Sequence, residues 1–221
     1  MTACRPEAVL FDLDGTLVDT APDLLAAVNR LRAGEALPPA PLAGFRSQVS
    51  RGARAMLAAG IPAFAAADAD RQADWVARLL AEYARQVCRD SVLFPGMAGL
   101  LEGLRGHGIA LAVVTNKPER MAVELLAAMG LAADFPVVLG GDSLAERKPH
   151  PLPVLTACER LGVAPQATWF LGDDARDVEA GRAAGSLTVA VTWGYADPGE
   201  IAGWRADRVI DDPAQALAWL Q

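Results

Sequence analysis

Cysteine and histidine are scarce in this chain, three and two of 221 residues. Cys4, Cys88 and Cys158 have no paired spacing, which argues against a disulfide framework or a cysteine metal site and fits a reducing cytoplasm. An excess of basic charge is also missing. Lys and Arg number 20 against 27 Asp and Glu, a net charge of −7, so the chain repels nucleic-acid backbones and anionic membrane surfaces. Neither is an expected partner. No apolar run approaches the ~18 residues that span a bilayer, and residues 1–7 lack the apolar region of a signal peptide. A soluble, cytoplasmic protein is expected. Internal repeats and low-complexity linkers are absent as well.

What is present is apolar and rich in alanine. Hydrophobic residues make up 52% and charged residues 21%, enough for a filled core and too apolar for a disordered chain. Short apolar runs at 8–11, 110–114, 136–139, 168–171 and 187–191, with a weaker one at 208–210, read as buried strands. Helical periodicity fills the gaps at 97–105, 121–129, 152–161 and 178–184, with glycine at several of the stops. Strand and helix in alternation imply an α/β fold: a Rossmann-like parallel sheet with helices on both faces. Residues 22–88 break the rhythm. Pro22 opens a helix carrying Leu24, Leu25, Val28 and Leu31, prolines 38, 39 and 41 interrupt, and a long helix is expected over 73–87. The aromatic stripe of that helix, with Trp75 and Tyr83, is expected to be core packing. This stretch reads as a helical insert placed after the first strand.

Polar clusters follow the expected strands. In an open parallel sheet the carboxyl ends of the strands line one crevice, so Asp12, Asp14, Thr115, Lys148, Asp173 and Asp177 are expected to meet there. Several carboxylates at close range need a cation to stay ionised together. With no histidine or cysteine among them, a hard, oxygen-seeking ion such as Mg²⁺ is the natural choice over zinc. Metal, lysine and threonine together suit a phosphoryl group attacked by a carboxylate. Each cluster alone has a plainer reading: loop acids or an acidic helix start for the aspartates, an N-cap for Thr115 and Asn116, a surface charge for Lys148. His107 and His150 are expected to be loop residues.

In their order along the chain these segments resemble the haloacid dehalogenase superfamily. Asp12-Leu-Asp14-Gly15-Thr16 matches its first motif and Thr115-Asn116 the second. Lys148 in Lys148-Pro-His-Pro151 matches the third, and Gly172-Asp173-Asp174-Ala-Arg-Asp177 the fourth. The helical insert sits where that family places its cap. The resemblance implies a catalytic core formed by residues 1–18 and 91–221 and a cap formed by residues 19–90. It also implies roles. Asp12 would be the nucleophile that takes the phosphoryl group, and Asp14 the acid and base for the leaving oxygen and the attacking water. Thr115, the Asn116 backbone and Lys148 would hold phosphate. Mg²⁺ would be held by Asp12, the carbonyl of Asp14 and Asp173, with Asp177 steadying Lys148 or the metal's waters. Dehalogenases of this superfamily lack a carboxylate at the position of Asp14, so its presence points to phosphate removal. Asp174 departs from the serine of many relatives.

Receiver domains of response regulators also combine clustered aspartates, a threonine and a lysine. Their acidic pair stands differently, however, and no large insert follows it. The expectation is therefore a phosphatase that hydrolyses a small phosphorylated metabolite through an aspartyl phosphate, as a monomer or loose homodimer. The stretch from Gly140 to Pro151 and the early segment from Asp19 to Asp23 resemble bacterial phosphoglycolate phosphatases. Residues 49–56 and the tail around Trp193, Tyr195 and Trp204 resemble N-acetylmuramic acid 6-phosphate phosphatases. Phosphoglycolate is the leading expectation and the amino-sugar phosphate the alternative. A β-phosphoglucomutase-like mutase is a weaker one, because nothing in the sequence would shield an aspartyl phosphate from water. Within the insert, Ser50 and Arg51 could present a specificity contact to the site; the alternative for Arg51 is a solvated surface charge.

Overall fold

A computed structural model describes residues 5–220, so Cys4 lies outside the described residues. In chain order the elements are β1 (Ala8–Phe11), β2 (Val18–Asp19), α1 (Ala21–Gly34), α2 (Arg46–Val49), α3 (Ala53–Gly60) and α4 (Ala69–Ala84). They continue with β3 (Val92–Leu93), α5 (Met97–Gly106), β4 (Ala110–Val114), α6 (Glu119–Ala128), β5 (Val137–Leu139) and α7 (Leu152–Leu161). The chain closes with β6 (Thr168–Gly172), α8 (Ala175–Ala184), β7 (Leu187–Val191), α9 (Pro198–Ile201), β8 (Arg208–Ile210) and α10 (Ala214–Ala218).

Six strands form one parallel sheet in the order β5-β4-β1-β6-β7-β8. The expected α/β architecture, a Rossmann-like parallel sheet with helices on both faces, is therefore what the chain adopts. Alternation along the strands divides the core. Val9 and Phe11 of β1 face a layer with α5, α6 and α10, whereas Leu10 faces α7 and α8 together with Ala112, Val114 and Phe170. Because both faces are covered, these strands read as continuous apolar runs rather than alternating ones.

Helices α1 to α4 enclose an apolar cluster of their own, with Trp75, Leu79 and Tyr83 of α4 packed on Val28, Leu31 and Leu57. Helix α4 starts at Ala69, earlier than the apolar stripe announces, because the Asp68 carboxylate accepts from Arg71 N and caps the first turn. One feature at the base of the insert carried no sequence signal. Strands β2 and β3 form a two-residue antiparallel ribbon where the chain leaves the sheet and returns to it. Two residues are too few to show any periodicity. Among the described residues no helix is long and apolar enough to cross a membrane.

Candidate active site

Parallel register places the chemistry. Phe11 pairs with Val113 on one side and Leu171 on the other, so Asp12 leaves β1 level with the exits of β4 and β6. Thr115 follows β4 directly and Asp173 follows β6, both buried. Asp12 Oδ1 accepts the backbone N–H of Leu13 at 2.7 Å and lies 2.9 Å from Lys148 Nζ. On its other side Lys148 Nζ stands 2.6 Å from Asp177 Oδ1. Burial alone would drive the proton off Lys148, but Asp12 and Asp177 outweigh it and hold the ammonium pKa above its ordinary value.

Asp173 is anchored from three directions. Its Oδ1 accepts from the Thr16 hydroxyl at 2.9 Å, and its Oδ2 from Tyr195 N at 2.9 Å and the Ser50 hydroxyl at 3.2 Å. Two glycines make room for it. A Cβ on Gly15, whose φ is +88°, would lie 2.2 Å from Asp173 Oδ2, and one on Gly194 would lie 2.3 Å from Asp173 Cβ. Burial, and then the charge of Asp12, pushes the Asp173 carboxyl up to about 7. Burial likewise raises Asp177 well above the ordinary carboxylate range, in spite of Lys148. Oxygens of Asp12, Asp173 and Asp177 lie within 4.8 Å of one another. Three crowded, buried carboxylates with no nitrogen or sulfur donor fit a hard divalent cation, which would offset the burial and the repulsion that raise two of them.

Asp14 points elsewhere. Its Oδ1 accepts from the Thr20 hydroxyl at 2.5 Å and from Lys117 Nζ at 2.9 Å. Lys117 is buried and sits 4.3 Å from the ring centroid of Tyr83 on α4. Burial works against its charge, yet Asp14 and then Tyr83 hold its pKa above the ordinary lysine value. Asn116 Nδ2 donates to the carbonyl of Lys148 at 3.0 Å and ties the loops after β4 and β5 together. Asp174 forms a capping box with Asp177 at the start of α8 and grips Arg176 at 2.7 and 2.8 Å. Arg176 in turn donates to the carbonyl of Ser50. Arg51 lines the cavity and also stands 3.6 Å from Glu200, both side chains being more than half exposed.

Asp12, Asp14, Thr115, Asn116, Lys148 and Asp177 thus border one cavity of about 420 Å³, with Asp173 buried beside it. Leu24, Val49, Met56, Val76 and Leu80 of the inserted helices supply its apolar side. Sequence reasoning passed over Lys117, Thr16, Thr20 and Arg176. Lys117 had a signal, since it follows Thr115 by two residues on the same strand exit. Thr16 and Arg176 stand inside the first and fourth motifs, but their contacts with Asp173 and Ser50 are distant in sequence, and nothing marked Thr20 as a partner of Asp14.

An open parallel sheet with an acidic, lysine-bearing crevice at its carboxyl edge and a helical insert above defines a hydrolase-type α/β architecture. Residues 6–185 match the model of the haloacid dehalogenase-like hydrolases, and the chain belongs to that family. Its relatives include a phosphoglycolate phosphatase of Xanthomonas campestris, 45% identical over 98% of each chain. An N-acetylmuramic acid 6-phosphate phosphatase of Pseudomonas aeruginosa is 40% identical over 98% of this chain and 96% of its own. Among solved structures, one described as a predicted phosphoglycolate phosphatase from Haemophilus somnus superposes with a TM-score of 0.87, at 33% identity and 99% coverage of both chains. The resemblance read from the four motifs is borne out at the level of the family.

Proposed function

We propose that the chain is a Mg²⁺-dependent phosphatase of a small phosphate monoester, with 2-phosphoglycolate as its first candidate substrate. The observation that carries this reading is the meeting of Asp12, Asp173, Asp177 and Lys148 at one strand edge beneath the inserted helices. We assign residues 1–18 and 91–221 to a catalytic core and 19–90 to a cap, and place the protein in a reducing cytoplasm.

With Oδ1 of Asp12 held by Leu13 N and Lys148, Oδ2 is the oxygen assigned to attack phosphorus. The P–O bond to the leaving group breaks as the P–O bond to Asp12 forms, and Asp14 gives its proton to the leaving oxygen. Asp14 then takes a proton from water while the water oxygen attacks phosphorus, and the bond to Asp12 breaks to release phosphate. Lys148, Thr115 and the Asn116 backbone hold the phosphoryl oxygens. Asp12, the Asp14 carbonyl and Asp173 would hold Mg²⁺, with Asp177 steadying Lys148; the ion, when bound, supplies positive charge to the transferring phosphoryl group. The inserted helices exclude water and shape the space for the leaving group.

The second reading, N-acetylmuramic acid 6-phosphate, is favoured by the cavity. A volume of about 420 Å³ with an apolar wall is larger than a two-carbon leaving group needs. Phosphate release with Mg²⁺, comparing kcat/KM for the two esters, decides between them. Hydrolysis of neither would overturn both substrates, and full activity in excess EDTA would overturn the metal's part.

A further inference from the structure

Lys117 is the buried cation that the proposed reaction leaves unused. Lys148 stands between Asp12 and Asp177, and Arg176 is clamped by Asp174. Lys117 faces a single carboxylate, Asp14, at 2.9 and 3.3 Å, with the Tyr83 ring 4.3 Å away on another side. Its side chain is only 4% exposed, and the residue lines the cavity on the same strand exit as Thr115. An ammonium carries three donors, and a buried one without a counter-charge is strongly disfavoured. To act as the acid in the proposed reaction Asp14 must first carry a proton, and a neutral carboxyl no longer balances the Lys117 charge. Another anion has to replace it.

We propose that Lys117 is a subsite for a carboxylate carried by the leaving group, so that the preferred substrates are phosphate monoesters of hydroxy acids. Asp14 is its resting counter-ion. Arrival of the substrate carboxylate satisfies Lys117 and frees Asp14 to take a proton from solvent, which it then gives to the leaving oxygen. The Tyr83 ring, contributed by the longest inserted helix, covers the ammonium and confines the anion to the cavity side. This deepens the phosphatase reading and rests on it.

The test measures kcat/KM with Mg²⁺ for 2-phosphoglycolate, for 2-hydroxyethyl phosphate, which lacks the carboxylate, and for p-nitrophenyl phosphate. Wild-type protein is expected to favour the acid over the diol ester by about tenfold or more. Lys117→Met should bring that ratio to near unity, whatever its general loss of rate, and Lys117→Arg should keep it within about threefold of wild type. Should Lys117→Met fail to fold, Lys117→Gln keeps a donor to Asp14 without the charge and carries the same expectation. A wild-type enzyme that hydrolyses all three esters without preferring the acid would overturn the subsite and leave the phosphatase standing. So would a ratio that survives loss of the Lys117 charge. Release of phosphate from none of the three, and none from N-acetylmuramic acid 6-phosphate, would overturn the phosphatase reading and the subsite with it.

Discussion

Asp12 and Asp173 show how little freedom the site leaves its side chains. Asp12 is fixed by one backbone donor and one lysine, contacts that an amide can largely keep. Asp12→Asn should therefore fold with a melting temperature near that of wild type while turnover falls by at least about 10³-fold. Steady-state kinetics beside a thermal melt check this, and activity within tenfold of wild type would remove Asp12 from the nucleophile's role. Asp173 depends on space as much as on donors. An alanine at Gly15 would be strained at φ +88° and would push its Cβ into the Asp173 carboxylate. Gly15→Ala is expected to weaken Mg²⁺ binding by about tenfold or more, read by titration calorimetry, and unchanged affinity would separate the glycine from the metal site. Residues of this kind mark what a sequence can tell. Asp12, Asp14 and Gly15 stand together in one motif and could be read directly. Gly194 and Tyr195, which complete the surroundings of Asp173 from the loop after β7, could not, because only the folded sheet brings that loop beside β6.

Between elements, the two connections of the inserted helices are bound to each other by a single carboxylate. Asp23, in the first turn of α1, is buried and accepts from the backbone N–H groups of Arg89, Asp90 and Ser91 and from the Ser91 hydroxyl. The outgoing chain at residues 19–23 thereby holds the returning chain at 89–91, next to the β2–β3 ribbon. On the other side the Tyr195 hydroxyl accepts from Thr20 N and Ala21 N and donates to Asp19. Asp23→Ala strips several charge-assisted bonds at once and should cost about 3 kcal/mol. Urea unfolding measures it, and a loss below about 1 kcal/mol would mean that water replaces the carboxylate without penalty. Helices α1 and α4 to α8 were legible because about three or four turns of apolar spacing repeat within each, whereas α2, α3, α9 and α10, of four to eight residues, are too short to show it. Their starts were less so: α8 begins at Ala175, ahead of its apolar stripe, because the Asp174–Asp177 capping box satisfies its first N–H groups. The Asp23 junction was not legible at all, since an acid in a first helical turn has a sufficient local reason in the helix dipole.

Across the whole molecule, the acidic cluster ties stability to pH and to divalent metal. The folded Asp173 carboxyl is held at about 7 by burial and by Asp12, against about 3.9 in an unfolded chain. Asp177 is raised in the same direction. Between about pH 4 and pH 7 the metal-free folded state thus keeps protons that the unfolded state has released. Stability falls as pH rises through that window and stays low above it. Groups shifted the other way do not mask the effect. Asp174 and Glu82 are lowered and titrate below the window, while Lys117 and Lys148 are raised and titrate above it. A bound divalent cation supplies the missing charge, so its stabilisation must grow over the same range, where it no longer competes with protons. Thermal melts in EDTA should give a lower Tm at pH 8 than at pH 5.5. Saturating Mg²⁺ should raise Tm by several degrees at pH 8 and by clearly less at pH 5.5. An equal increment at both values would mean that the three carboxylates are not where the metal binds. A metal-free protein more stable at pH 8 would mean that the repulsion among Asp12, Asp173 and Asp177 is already balanced within the fold by Lys148 and the hydrogen bonds of Thr16 and Tyr195.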